Sequence, residues 1–328
     1  MNKIVLIILM GIAFINYSQD INNIPKLKDV VLDSSYNHNK WITLPLDVKY
    51  EFAAYTASFD TNDPTVEGGK NISLGIPEWV SFEIHGSVNP SKCSRPRPWL
   101  TDTSLFNKEE APDDASYYVS GTNDLPVVSG DYRFVRGHMC PFATASRISC
   151  NASWNTCLMM NAVPQLQWQN NLIWKGLEKN CTDWADKHNK VWVICGPLFF
   201  NKDPAIWLGQ QNEKKVAVPD ALFKIVVRKS SSETGIETIA FIIPNIIPKD
   251  KKLHEYVTNI DQIEHLTGLK FLNTLSSSLQ EIEKAKHGLP ELPFGYKDLT
   301  SKEKKQVREK RKKIFHEVNK VLIQSWFE

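Results

Sequence analysis

The sequence predicts an α+β fold with a strand-rich centre and one long helix laid across it. Three observations carry that expectation. The run from Trp79 to His85 alternates, with Val80, Phe82 and Ile84 on one side, as a strand with one buried face does. Apolar runs at 191–195, 221–228 and 235–243 are bounded by turn-forming residues, the last two separated by the polar stretch Ser230 to Gly235. Residues 168–187 follow a helical period instead: Asn170, Trp174 and Glu178 recur every four positions and share a face. Each such step drifts by only ~40° on an ideal helix, so Asn170 and Glu178 look toward one cleft.

Taken from the start, residues 1–18 read as a signal peptide. Lys3 supplies the positive end, Ile4 to Ile15 the apolar run, and Ser18 a small residue for cleavage. That run is shorter than the ~20 residues of a membrane span, which disfavours an uncleaved anchor. No cysteine follows it, so no lipid anchor is expected. The mature chain is expected to be exported, secreted or periplasmic, without stable membrane association. Residues 19–75 mix short alternating runs with Asn, Asp, Ser and Gly clusters and are read as an irregular extension packed on the core. Residues 76–275 hold the strands and the long helix and form the main domain.

Within that domain, 86–130 is loop by its Pro, Ser, Asp and Gly content, and 132–139 is a strand ending at His138. A short helix near 259–267 has Asn259 as its N-cap and Gly268 as its stop. Residues 276–328 are a basic tail, with a helix running from Ser301 to about Trp326. Val307, Ile314, Val318 and Leu322 line one side of it, and Lys304, Lys305, Arg308, Arg311 and Lys312 the other. A solvated charged face is favoured over a phosphate-binding one there.

The net charge of +2 and 42% hydrophobic content are those of an ordinary globular protein, so no global basicity argues for a polyanion. Six cysteines (Cys93, Cys140, Cys150, Cys157, Cys181, Cys195) in an exported chain suggest disulfides, among 15 possible connectivities. Cys150 and Cys157 are the nearest pair and the favoured one, while Cys195 sits in an apolar run and reads as a buried strand residue. Their spacings match no zinc site.

The chemistry concentrates between Arg136 and Glu178. A histidine such as His138 titrates near neutrality and suits water activation. Asn170 offers an amide oxygen to a hard cation, and Glu178 a carboxylate further along the same helical face. A histidine beside one hard cation points to phosphodiester hydrolysis. A cysteine hydrolase using Cys140 and His138 is disfavoured, because nothing around Cys140 resembles such a nucleophile's context.

At these residues the chain resembles the DNA/RNA non-specific endonucleases, the family that includes mitochondrial endonuclease G. The likeness runs through Arg136-Gly137-His138, Asn161 to Gln165, the Asn170/Trp174/Glu178 series, Val191 to Phe199, Val216 to Lys224, Ile242 to Asn245 and Ile263 to Phe271, in the family's order. It implies a central antiparallel sheet flanked by helices, with a ββα-metal (His-Me finger) active site. It also implies Mg²⁺ as cofactor, with Mn²⁺ able to substitute, and DNA and RNA as substrates. By the same resemblance His138 is the general base, Asn170 the metal ligand and Glu178 a carboxylate that orders water beside the ion. Asn161 holds the His138 segment, and Arg136 and Arg95, with Arg97 as the alternative to Arg95, meet the substrate phosphate. Two positions depart from the family pattern. Val135 stands where an Asp is usual, and Thr182 where an Arg is often found, with Lys179 and Lys187 as nearby substitutes for that cation. An impaired nucleic-acid binder of the same fold is the alternative these departures raise.

Overall fold

The computed structural model describes residues 36–43, 49–59, 74–96, 99–101, 112–117, 134–200, 204, 206–209, 214–245 and 252–286. The signal peptide lies outside the described residues; of the basic tail only 276–286 are described, and the helix expected from Ser301 to about Trp326 lies outside them. In chain order the principal strands are β1 (Lys49–Glu51), β2 (Thr56–Ser58), β3 (Trp79–His85), β4 (Phe134–His138), β5 (Ala162–Leu166), β6 (Lys190–Leu198), β7 (Ala221–Lys229), β8 (Ile236–Pro244) and β9 (Val257–Thr258). The helices are α1 (Phe142–Ala145), α2 (Cys150–Asn155), α3 (Gln167–Gln169), α4 (Lys175–His188), α5 (Ile260–Thr267) and α6 (Ser277–Ala285). A π-helical turn, Asn170–Trp174, joins α3 to α4 in one long helix.

Seven strands form one antiparallel sheet in the order β9-β8-β7-β6-β3-β2-β1. Its inner strands β6 and β7 are buried along almost their whole length, which is why their sequences read as apolar runs rather than alternations. The period of two still sorts their side chains. Val191, Val193, Cys195, Leu222 and Val226 share one core with Trp174, Leu177, Cys181 and Trp184 of the long helix. Trp192, Ile194, Leu198, Phe223 and Ile225 share the other core with Ile260 and Ile263 of α5. The sheet is thus covered by a helix on each face, and β4 and β5 pair with each other beside the long helix. This matches the expected α+β architecture.

Local signals in the sequence hold where a cap or a turn decides the geometry. Asn259 Oδ1 accepts from the Gln262 backbone N–H at 2.8 Å, and Gly268 ends α5 in the left-handed region at φ 71°. The 19–75 segment differs from the irregular extension expected of it. Its β1 and β2 add two strands to the main sheet, and Trp41 and Ile42 fill the second core. Its short strands carry too few residues to show a period of two, so the sheet edge they join is invisible from composition.

Candidate active site

Strands β4 and β5 form a hairpin-like pair whose register sets Gly137 opposite Val163 and His138 opposite Ala162. Glycine is required at 137: a Cβ there would fall 1.6 Å from Gln165 Oε1. Gln165 occupies that space and donates from Nε2 to Gln169 Oε1 at 3.0 Å, joining the strand pair to the helix start. Just past His138 the chain is held by Asn161. Its Oδ1 accepts from the Cys140 N–H at 2.7 Å, and its Nδ2 donates to the carbonyls of Cys140 and Thr156 at 2.8 and 2.9 Å. Asn161 is fully engaged and buried, so it shapes the turn and does not face the site.

The long helix crosses this pair. Trp174, wholly buried, donates its indole N–H to the His138 carbonyl at 3.1 Å. A plain α-helix would swing Glu178 away from Asn170 by the accumulated drift; the wider π-turn between them takes up part of it. Asn170 and Glu178 then line one cavity of about 410 Å³ together with Arg95, His138, Lys175 and Thr182. Of the three residues in the series, Trp174 is the core residue that its large apolar side chain implies: it turns into the core and locks the helix to β4, while Asn170 and Glu178 line the cavity.

Electrostatics in the cavity follow from burial. His138 Nε2 is buried with no hydrogen-bond partner among the described residues. Burial pushes its imidazole down to about 3, helped by the charges of Arg95 and Arg136. Burial pushes the Glu178 carboxyl up to about 7, against the opposing pull of Lys224 and then Arg95. The Trp99 ring lies 4.4 Å from the His138 ring, centroid to centroid, and packs against it from outside the cavity lining.

Two of the named residues sit elsewhere than expected. Arg136 is not among the cavity-lining residues; it pairs with Asp114 and lies 5.8 Å over the Trp99 ring. Of the two cations suggested as substitutes near Thr182, Lys179 lines the cavity and Lys187 does not. Lys179 is itself bonded to Asp183 at 2.5 Å, so Lys175 is the further cation of the cavity wall.

The disulfide also differs from the expected one. Cys93 bonds Cys150, with Cα atoms 5.3 Å apart, and Cys157 is a buried free thiol. Helix α2 and its closing turn lie between 150 and 157, and seven helical residues separate Cα atoms by ~10 Å, beyond disulfide reach. The bond fastens the arm that carries Arg95. Ser91 N–H donates to the Ser146 carbonyl at 2.8 Å and Trp154 donates to the Ser94 carbonyl at 3.0 Å, and Arg95 comes to rest 5.0 Å over the Phe142 ring. Sequence reasoning passed over one residue altogether. Lys224 is fully buried behind the cavity, and its only signal was a charge inside an otherwise apolar strand run.

Comparison with known proteins agrees with this geometry. A family model described as DNA/RNA non-specific endonuclease matches residues 66–278. A nuclease from Nostoc sp. is 28% identical over 218 residues, covering 64% of this chain and 72% of that protein. A nuclease of Serratia marcescens is 29% identical over 226 residues, covering 68% and 78%. The mitochondrial nuclease EXOG of Xenopus laevis is 32% identical over 163 residues, covering 48% and 44%, so the chain spans about half the length of such mitochondrial relatives. A chain in the solved EndoG/EndoGI complex shares the fold, with a TM-score of 0.52 at 21% identity, over 71% of this chain and 88% of that one. With well over half its length matched by a single family model, the chain belongs to the DNA/RNA non-specific endonuclease family.

Proposed function

We propose that the protein is an exported, metal-dependent endonuclease that hydrolyses phosphodiester bonds of DNA and RNA with little sequence preference. One observation carries this reading above the others. His138, Asn170, Glu178 and Arg95, drawn from one strand's end, a helix and a tethered loop, line the same cavity, and the His138 Nε2 has no hydrogen-bond partner among the described residues.

The donor set fits a hard divalent ion. Asn170 brings an amide oxygen and Glu178 a carboxylate to one cavity, and Mg²⁺ takes oxygen ligands while retaining several waters, so a single protein ligand suffices. Asn170 is the proposed ligand, for Mg²⁺ or for Mn²⁺ in its place. When bound, the ion supplies positive charge to the scissile phosphate and the leaving oxygen.

The chain's own groups supply the rest. His138 is neutral at pH 7, because its pKa of about 3 lies far below, and its Nε2 accepts the proton of the attacking water. A bound phosphodiester offsets the charge of Arg95 and so raises the basicity of His138 toward the working range. The water oxygen bonds to phosphorus, the bond to the leaving oxygen breaks and that oxygen takes a proton from solvent water, and the proton on His138 is passed to solvent. Glu178 orients the hydration of the site, and Arg95 with Lys175 contacts phosphate oxygens. Contacts of that kind read charge rather than bases, which gives breadth of substrate. Arg136 supports this wall through Asp114, and Asn161 through the turn after His138.

The experiment is digestion of plasmid DNA and of RNA with and without chelator. Chelator is expected to stop cleavage of both and Mg²⁺ or Mn²⁺ to restore it. Asn170→Ala should raise the metal requirement or abolish turnover, and Asn171→Ala should do less. Full activity in chelator overturns the metal, and binding without cleavage at any metal concentration favours the impaired binder suggested by Val135 and Thr182. Export is tested separately: the mature protein recovered outside the cytoplasm should begin at Gln19. Among the described residues no helix is long and apolar enough to cross a membrane.

A further inference from the structure

Lys224 lies on the interior strand β7, between Cys195 of β6 and Phe241 of β8, and is 1% exposed. Leu222 and Val226, two residues to either side, face the core under the long helix, and the period of two aims Lys224 the same way. Its Nζ has no hydrogen-bond partner among the described residues and stands 3.9 Å from the centroid of the Trp174 ring. A buried amine with no hydrogen bond among the described residues, facing a ring and within reach of the Glu178 charge, is costly to the fold, and a Met or Leu of similar size would fill the same space without that cost. Stability does not account for it.

Position does. The indole N–H at the edge of the same Trp174 ring donates to the His138 carbonyl, and Trp174 is the last residue of the π-turn that begins with Asn170. We propose that Lys224 is a positioning residue of the active site: by holding the Trp174 ring it fixes the strand end at His138 and the Asn170–Glu178 face of the helix. Its charge also favours the carboxylate form of Glu178, as the largest influence opposing burial there. This inference rests on the nuclease reading above.

The test uses the full-length protein, with Lys224→Met, Trp174→Phe and the double variant, each assayed for Tm, kcat and KM on plasmid DNA. Lys224→Met should melt no lower than wild type, and its kcat should fall by ~10-fold or more with KM little changed, as misplacement of catalytic groups does. The double variant should lose no more kcat than the worse single variant, since both act along one line of contact. Unchanged kcat, a raised KM at normal kcat, or fully additive losses would each overturn the inference. So would a lowered Tm, or a failure of both Lys224→Met and Lys224→Leu to fold, because the lysine would then belong to the core's own stability. Wild-type protein that cuts nothing sinks the nuclease reading and this inference together. Wild-type cleavage with an indifferent Lys224→Met sinks the inference alone.

Discussion

Two desolvated histidines, buried His38 and part-buried His138, are handled in opposite ways by the same fold. His38 sits under strand β3 with both ring nitrogens used: Nδ1 accepts from the Glu83 N–H at 3.1 Å, so Nε2 is the donor to the Ala53 carbonyl at 3.1 Å. Its own carbonyl accepts from the Ser81 hydroxyl. It stitches segment 36–43 onto the otherwise polar side of β3. His138 has a buried Nε2 with no partner among the described residues and a cavity beside it. Burial lowers the pKa of both, so burial and a shifted pKa do not distinguish a working histidine from a structural one. The unmet nitrogen beside open volume does.

The largest consequence is a crossed pair of outcomes. His138→Ala should lower kcat by at least ~10²-fold, the usual scale of general-base catalysis, with Tm at neutral pH hardly changed. His38→Ala should do the reverse: about 1–3 kcal/mol of stability lost as buried partners go unmet, with kcat per folded molecule intact. Plasmid digestion and urea unfolding on both variants decide it. A His38 variant that is stable but inactive, or an active His138 variant, would erase the distinction between the two sites.

A smaller effect concerns acid. Both histidines hold folded pKa values below the ordinary 6.5, so between that value and the folded pKa the unfolded chain binds more protons. Their contribution is present above pH 6.5 and is lost as pH falls, for His138 down to about 3. Wild type should therefore lose stability between pH 6.5 and 4, and His138→Ala should lose less over the same range. Equal slopes in urea midpoint against pH would mean that His138 is not desolvated as its surroundings imply. Activity has its own acid limb: before ligands bind, burial holds the Glu178 carboxyl up at about 7, so kcat/KM should rise with pH up to that region.

These contrasts show why part of the site was legible in sequence and part was not. Arg136-Gly137-His138, Asn161 and the Asn170/Glu178 pair are short-range patterns, and each side chain's task is set within one strand pair or one helix. Asn259 and Gly268 were legible for the same reason, since a cap is a local event. Asp114 beneath Arg136, Cys93 against Cys150 and Lys224 beneath Trp174 join residues far apart in the chain, and no period or spacing announces them. The π-turn was hidden by a different cause. Asn170 to Trp174 have no residue that breaks a helix, and the widened turn arises where the helix must serve both the core and the cavity.

The smallest expected effect sharpens the open side of the comparison. Thr182 lines the cavity one helical turn beyond Glu178, and its hydroxyl is spent on the Glu178 carbonyl at 3.2 Å. That bond is to backbone already within the helix, so its loss costs little. Thr182→Arg would place a guanidinium beside the phosphate site proposed for Arg95 and Lys175. Substrate binding should tighten a few-fold, and the log–log slope of affinity against salt should steepen by about one unit, as for one added phosphate contact. Lys187→Arg, outside the cavity on the same helix, is the control and should move neither quantity. A Thr182→Arg variant with the wild-type salt slope would place the phosphate path away from this face of α4 and leave the opening at His138 to be reached from the Arg95 side alone.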